Sequence, residues 1–177
     1  ARPIPARSRA TAIVADRLPL FRAAIVRILM RRLSVTICDQ TGDSAKALAL
    51  VAAKRPELAV IDCDVDACAT IYAVTQVAHY VRHTSIALTA ASFTGSQLKQ
   101  ALSGGVRAFI LKSDTEDEIC DALEATLSGN FVFSRRLQEY FAVDDRTRVD
   151  QIAIATALDA LTTREIQVLT CIGHGLS

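Results

Sequence analysis

From Ala10 onward, short apolar runs alternate with longer stretches in which apolar residues recur every three or four positions. Residues 10–15 form one such run and end at Asp16. Leu18, Phe21, Ile25, Ile28 and Leu29 then fall on one helical face, with Arg22, Arg27, Arg31 and Arg32 between them. A short apolar run followed by a 3.6-residue period predicts a strand and then an amphipathic helix. The unit repeats. Strands are predicted over 34–38, 58–61, 85–89 and 106–111, and helices over 44–54, 67–81, 95–103 and 115–127, with Gly129 as the last helix's C-cap.

Apolar strands such as LAVI and AFIL, each set between helices, predict a parallel sheet covered on both faces and joined by right-handed crossovers. The expected fold class is α/β: a doubly wound, five-stranded parallel sheet of flavodoxin-like architecture. In such sheets a ligand site lies beyond the carboxyl ends of the strands. Asp16 ends the first strand, Asp62 the third, Thr89 the fourth, and Lys112 the fifth. A carboxylate beside a hydroxyl and an ammonium suits nucleophilic attack on phosphorus, because the ammonium neutralises the transferred group and the hydroxyl binds one of its oxygens. Asp62 is the natural acceptor. Any one of these residues alone would be an ordinary polar strand end.

Composition narrows the class further. The 177 residues are 51% hydrophobic and 22% charged, enough to build a core, and 20 Lys and Arg against 19 Asp and Glu leave no whole-chain field toward nucleic acid or anionic lipid. Arg, Asp or Lys interrupts every apolar run well short of the roughly eighteen residues of a membrane helix, so no membrane span is expected. Cys38, Cys63, Cys68, Cys120 and Cys171 are odd in number and widely spread, and read as reduced thiols of a cytoplasmic protein. Residues 1–9, with three Arg and two Pro, read as a loose tail.

The pieces VADRLPLFR, RPELAVIDCD, IALTA and GGVRAFILK resemble the receiver domains of two-component response regulators, over residues 10–131. The resemblance implies that Asp62 is the phosphoacceptor, Thr89 the switch hydroxyl, Lys112 the family's lysine and Phe109 the switch aromatic. It also implies Mg²⁺ held by Asp16, Asp62 and Asp64, and a sensor histidine kinase as partner. Two positions depart from the pattern. Arg17 stands where the family has a second acid, which changes the local charge by two units where a hard cation needs anionic oxygens, and Cys63-Asp64 replaces the usual Met-Pro. Either Arg17 pairs with Asp62, or it points into solvent while Asp64 or Asp66 supplies the missing oxygen. The expectation is an atypical receiver, with impaired or unusual phosphorylation.

Residues 132–160 read as a linker that includes a helix over 148–158. In LTTREIQVLTCIGHGLS, Thr162 and Glu165 form a capping box, with Leu161 and Ile166 as its staple. This segment resembles the opening of the LuxR-type helix-turn-helix domain of NarL/FixJ response regulators, implying transcriptional control through DNA and a homodimer. That family's recognition helix lies beyond the Gly-Leu-Ser turn. Residues 161–177 are therefore expected to be an incomplete output domain. From Asn130 to Ser177 there are five Arg, no Lys and six acids, too little positive charge for useful DNA affinity.

Two rival readings compete. LAVIDCDV also resembles the Asp-x-Asp strand of haloacid-dehalogenase-type phosphatases, with Asp62 as nucleophile and Asp64 as general acid. That family also needs acids at a further strand end, whereas Asp114, Glu116, Asp117 and Glu118 read as partners of a helix dipole. The other rival is a pseudo-receiver that only binds protein. His79 and His83, four apart on a predicted helix, have two-point metal spacing but read better as a solvated face. Cys63 is expected on the side of its strand opposite Asp62.

Overall fold

The computed structural model describes residues 9–138. The linker helix predicted over 148–158 and the output segment 161–177 lie outside the described residues. Within them, β1 (Thr11–Ala15), α1 (Pro19–Arg31), β2 (Thr36–Thr41), α2 (Ser44–Lys54), β3 (Leu58–Asp62), α3 (Ala67–Ala78), β4 (Ser85–Ala90), α4 (Gly95–Ser103), β5 (Ala108–Leu111), α5 (Glu116–Leu127) and β6 (Val132–Phe133) follow in order. The strands form one sheet in the order β2-β1-β3-β4-β5-β6, and every adjacent pair is parallel. The doubly wound α/β class is as the sequence predicts. The strand count changes from five to six, because the chain returns after α5 and pairs Val132 and Phe133 with Ala108 and Phe109.

The inner strands β3 and β5 are buried along their whole length, as their unbroken apolar runs require. Alternate side chains feed two cores. Ile13, Ala15, Ile61, Leu88 and Phe109 pack with α2, α3 and α4, whereas Val14, Val60, Ala87 and Ile110 pack with α1 and α5. The helix ends follow local chemistry. Asp43 caps α2, Thr94 and Thr115 form capping boxes on α4 and α5, and Gly129 takes φ +84° just past α5. Gly104, just after α4, sits against α3 so closely that a Cβ there would lie 1.9 Å from Thr75 Cγ2.

Two predicted elements shift. β2 runs later than expected because it is an edge strand whose Asp39 and Gln40 pair despite their polarity. α3 stops at Ala78, so His79 is its C-cap and His83 lies in the following turn, and the two do not share a helical face. Among the described residues no helix is long and apolar enough to cross a membrane.

Candidate functional site

Side chains along a strand alternate between faces, and the register decides which of them meet. Asp62 pairs with Thr89, and Thr89 with Ile110, while Ala15 lies beside Ile61, so Asp16 follows at the level of Asp62. Lys112 continues β5 one step past its end, its amide donating to the Ala90 carbonyl at 2.8 Å. Asp16, Asp62, Thr89 and Lys112 thus share the parity of the face covered by α1 and α5, at the carboxyl edge of the sheet. β1 and β3 flank the point where strand order reverses, the usual place for a site in such folds.

Lys112 is the centre of this cluster. Its Nζ lies 2.9 Å from Asp16 Oδ2, 2.8 Å from Asp62 Oδ1 and 2.9 Å from Asp64 Oδ2, and 5.4 Å from the centre of the Phe21 ring. The remaining contacts come mostly from backbone amides. Leu18 N–H donates to Asp16 Oδ1 at 2.7 Å, Arg17 N–H to Asp62 Oδ2 at 3.3 Å, Asp64 N–H to Asp62 Oδ1 at 3.0 Å, and Ala91 N–H to Asp64 Oδ1 at 2.6 Å. Ser44, in the first turn of α2, donates its hydroxyl to the Asp62 carbonyl at 2.7 Å, and Arg22 binds the Asp16 carbonyl at 2.5 Å.

Electrostatics follow from burial. Asp16 is 2% exposed, and desolvation raises its carboxyl above the usual value although Lys112 and the Leu18 amide pull the other way. For Lys112, burial opposes the charged amine, but hydrogen bonds to Asp62, Asp64 and Asp16 outweigh it and hold it protonated well above a free lysine. Cys63 faces the opposite core, and burial, aided by the charges of Asp62 and Asp64, pushes its thiol up to about 12. Such a thiol is inert at neutral pH.

The structure brings Asp16, Asp62, Asp64 and Lys112 together. Thr89 lies beside Asp62 with no solvent exposure, and its Oγ1 has no hydrogen-bond partner among the described residues. Phe109 is buried on the other side of the sheet, where it stacks on Phe133 at 5.2 Å and meets Phe93 edge-on at 5.5 Å. Asp66 is not in the cluster. It caps α3 by accepting from Ala69 N–H. Of the two expectations for Arg17, solvent holds: its side chain is exposed, and only its amide touches Asp62. Asp114 differs from the acids that follow it. Glu116, Asp117 and Glu118 lie in the first turn of α5, whereas Asp114 is buried ahead of the helix and accepts from Leu111 N–H.

Sequence spacing carried no sign of the contacts made by Ser44 and Ala91, which lie 18 residues before and 27 residues after the acids they touch.

Carboxylate oxygens are the right donors for Mg²⁺, but as arranged they do not fit a metal. Each oxygen of Asp16, Asp62 and Asp64 has a nitrogen within 3.3 Å, although buried Asp16 Oδ2 meets Lys112 only as an ion pair and accepts no hydrogen bond, and the place common to all three acids is held by the Lys112 ammonium. Among the described residues no group of three His, Cys, Asp or Glu side chains is arranged to hold a metal ion.

No protein-family model matches the chain. Over 173 residues it is 30% identical to the Mycobacterium tuberculosis protein described as "Probable transcriptional regulatory protein NarL", covering 98% of this chain and 78% of that one. It is 23% identical over 168 residues to the transcriptional regulatory protein YxjL of Bacillus subtilis, covering 92% of this chain and 75% of that one. Among solved structures, the signal receiver domain of NarL from M. tuberculosis matches with a TM-score of 0.62 at 30% identity, covering 70% of this chain and 99% of that domain. The strand-end cluster on a doubly wound sheet and a relative this similar over nearly the whole chain lead to one conclusion: the protein belongs to the NarL/LuxR-type family of response regulators.

Proposed function

We propose that the domain expected over residues 10–131, which extends past that boundary because β6 completes its sheet and Leu137 its core, is a receiver that takes up a phosphoryl group on Asp62 and controls transcription through a DNA-binding output domain opening at residue 161. In this reading an Asp62 carboxylate oxygen attacks the phosphorus of a phosphodonor, a new oxygen–phosphorus bond forms, and the bond to the leaving group breaks with its electron pair. Lys112 neutralises the transferred group, and the Thr89 hydroxyl binds one of its oxygens. The protein acts in the cytoplasm as a homodimer addressed by a sensor histidine kinase. The observation that carries the reading is the 2.8 Å contact of Lys112 Nζ with Asp62 Oδ1, beside a buried hydroxyl without a partner.

A second reading, an atypical receiver set without phosphorylation, is favoured by one feature: the Lys112 ammonium holds the place common to the three acids. The phosphatase reading is not favoured, since the relatives are transcriptional regulators and Asp64, its general acid, is engaged by Lys112 and Ala91. Intact-mass spectrometry of the full chain with acetyl phosphate, with and without Mg²⁺, separates the first two. A phosphoryl mass gain lost in Asp62→Asn supports the first. No gain under either condition overturns it in favour of the second.

A further inference from the structure

Asp64 stands apart from the other acids of the cluster. Asp16 and Asp62 end strands, whereas Asp64 lies in the loop after β3, and its two oxygens point to different parts of the molecule. Oδ2 is 2.9 Å from Lys112 Nζ, and Oδ1 accepts the Ala91 amide at 2.6 Å, in the loop that joins β4 to α4. One anion therefore ties the end of β5 to the loop beyond β4. A phosphoryl group on Asp62 would need the same two kinds of donor, an ammonium and a backbone amide at the sheet edge. Resting on the receiver reading, we propose that the Asp64 carboxylate is a built-in stand-in for a phosphoryl group, holding Lys112 and the β4–α4 loop together before Asp62 is modified.

The loop held in this way is not isolated. Two residues after Ala91, Phe93 is buried and meets Phe109 edge-on, and Phe109 stacks on Phe133 of β6. The Asp64–Ala91 bond is thus the first link of a packed path from the carboxylates to the segment that leaves the domain. The Asp64 side chain is 23% exposed, against 2% for Asp16 and Asp62, so it is the member of the cluster that can swing into water and give up its donors. Asp64 accordingly decides whether the Ala91 amide, and one of the three carboxylate contacts of Lys112, are open to an incoming anion.

The test compares the full chain with its Asp64→Ala and Asp64→Asn variants. Amide exchange at Ala91 is read by NMR, and binding of beryllium fluoride, a phosphoryl analogue, is read by fluorine NMR with Mg²⁺ present. A hydrogen bond to a charged group corresponds to about ten- to hundredfold in an equilibrium. Exchange at Ala91 is therefore expected to quicken by at least about tenfold in Asp64→Ala, with α2 amides unchanged as a check on folding. The analogue should bind at least about tenfold more tightly to Asp64→Ala than to the parent, with Asp64→Asn between them. Unchanged Ala91 exchange, or binding by the parent as tight as or tighter than by Asp64→Ala, overturns the proposal. If exchange quickens but neither protein binds the analogue, the stand-in contact holds and the reading of Asp62 as phosphoacceptor fails.

Discussion

Lys112→Met removes the ammonium shared by Asp16, Asp62 and Asp64 while keeping most of the aliphatic stem beside Phe21. Taking one partner from a buried ion pair costs about 3–5 kcal/mol. The cluster opens to water at Asp64, so the lower end applies, about 3 kcal/mol at pH 7. A domain of this size has about 5–15 kcal/mol in hand, and the variant stays folded. With a urea dependence of about 2 kcal/mol per molar, the unfolding midpoint followed by far-ultraviolet circular dichroism falls by about 1.5 M.

The pH dependence gives a sharper check. Asp16's folded value is raised by burial above the ordinary 3.8. Between the unfolded and folded values the folded state holds more protons, so stability rises as pH falls through that window. Removing Lys112, which lowers the Asp16 value, raises it further and extends the window upward. Lys112 itself stays charged throughout this range, because its folded value is raised. The deficit of Lys112→Met is therefore largest near pH 7 and shrinks toward pH 5. A midpoint drop under about 0.5 M at pH 7, or a deficit that grows on acidification, would refute the shared ion pair as a source of stability.

Three other substitutions or reactions probe the rest of the molecule. Gly104→Ala forces a methyl into Thr75 Cγ2 and costs about 1–3 kcal/mol, partly recovered in a double variant with Thr75→Ser, whereas a full cost unchanged in the double variant would mean the clash is elsewhere. A double-mutant cycle of Phe109→Leu and Phe133→Leu should give a coupling of about 0.5–1.5 kcal/mol, and strict additivity would contradict the stacked pair. Iodoacetamide at pH 8 should alkylate exposed Cys68 and leave Cys63 untouched until the chain is denatured, since a thiol pushed up to about 12 is ionised there only about once in ten thousand. Labelling of native Cys63 would disprove its burial.

Much of this was legible in the letters because the inner strands are short apolar runs that end abruptly in a polar residue. LAVID and AFILK state both the strand and the place where it meets solvent, and period-two alternation then puts their terminal side chains on one face. What the letters hid depends on contacts between segments distant in sequence. β6 has two residues, too few for any periodicity, and exists only because β5 offers it an open edge. The reach of Asp64 to Ala91 joins two loops whose spacing follows no rule. Arg17 was legible as a break in the pattern but not in its direction, since nothing in a sequence tells whether a guanidinium beside three acids folds inward or out. For His79 and His83 the solvated position was legible, both being exposed, but the helix was not, because α3 stops at Ala78.

The sixth strand also sets how force would pass through the protein. β6 runs parallel to β5, so the chain leaves the sheet at the same carboxyl edge that carries Asp62 and Lys112. Its backbone is held by Val132 N–H to the Arg107 carbonyl and Ser134 N–H to the Phe109 carbonyl, and beyond it Leu137 is buried in the same core as Phe109. A pull on the segment beyond residue 138 would peel this outermost strand first, opening a few bonds in succession and unstacking Phe133 from Phe109 while the inner strands stay intact. The domain thus ends in a short edge strand whose pairing with β5 and whose Phe133–Phe109 stack would be lost together.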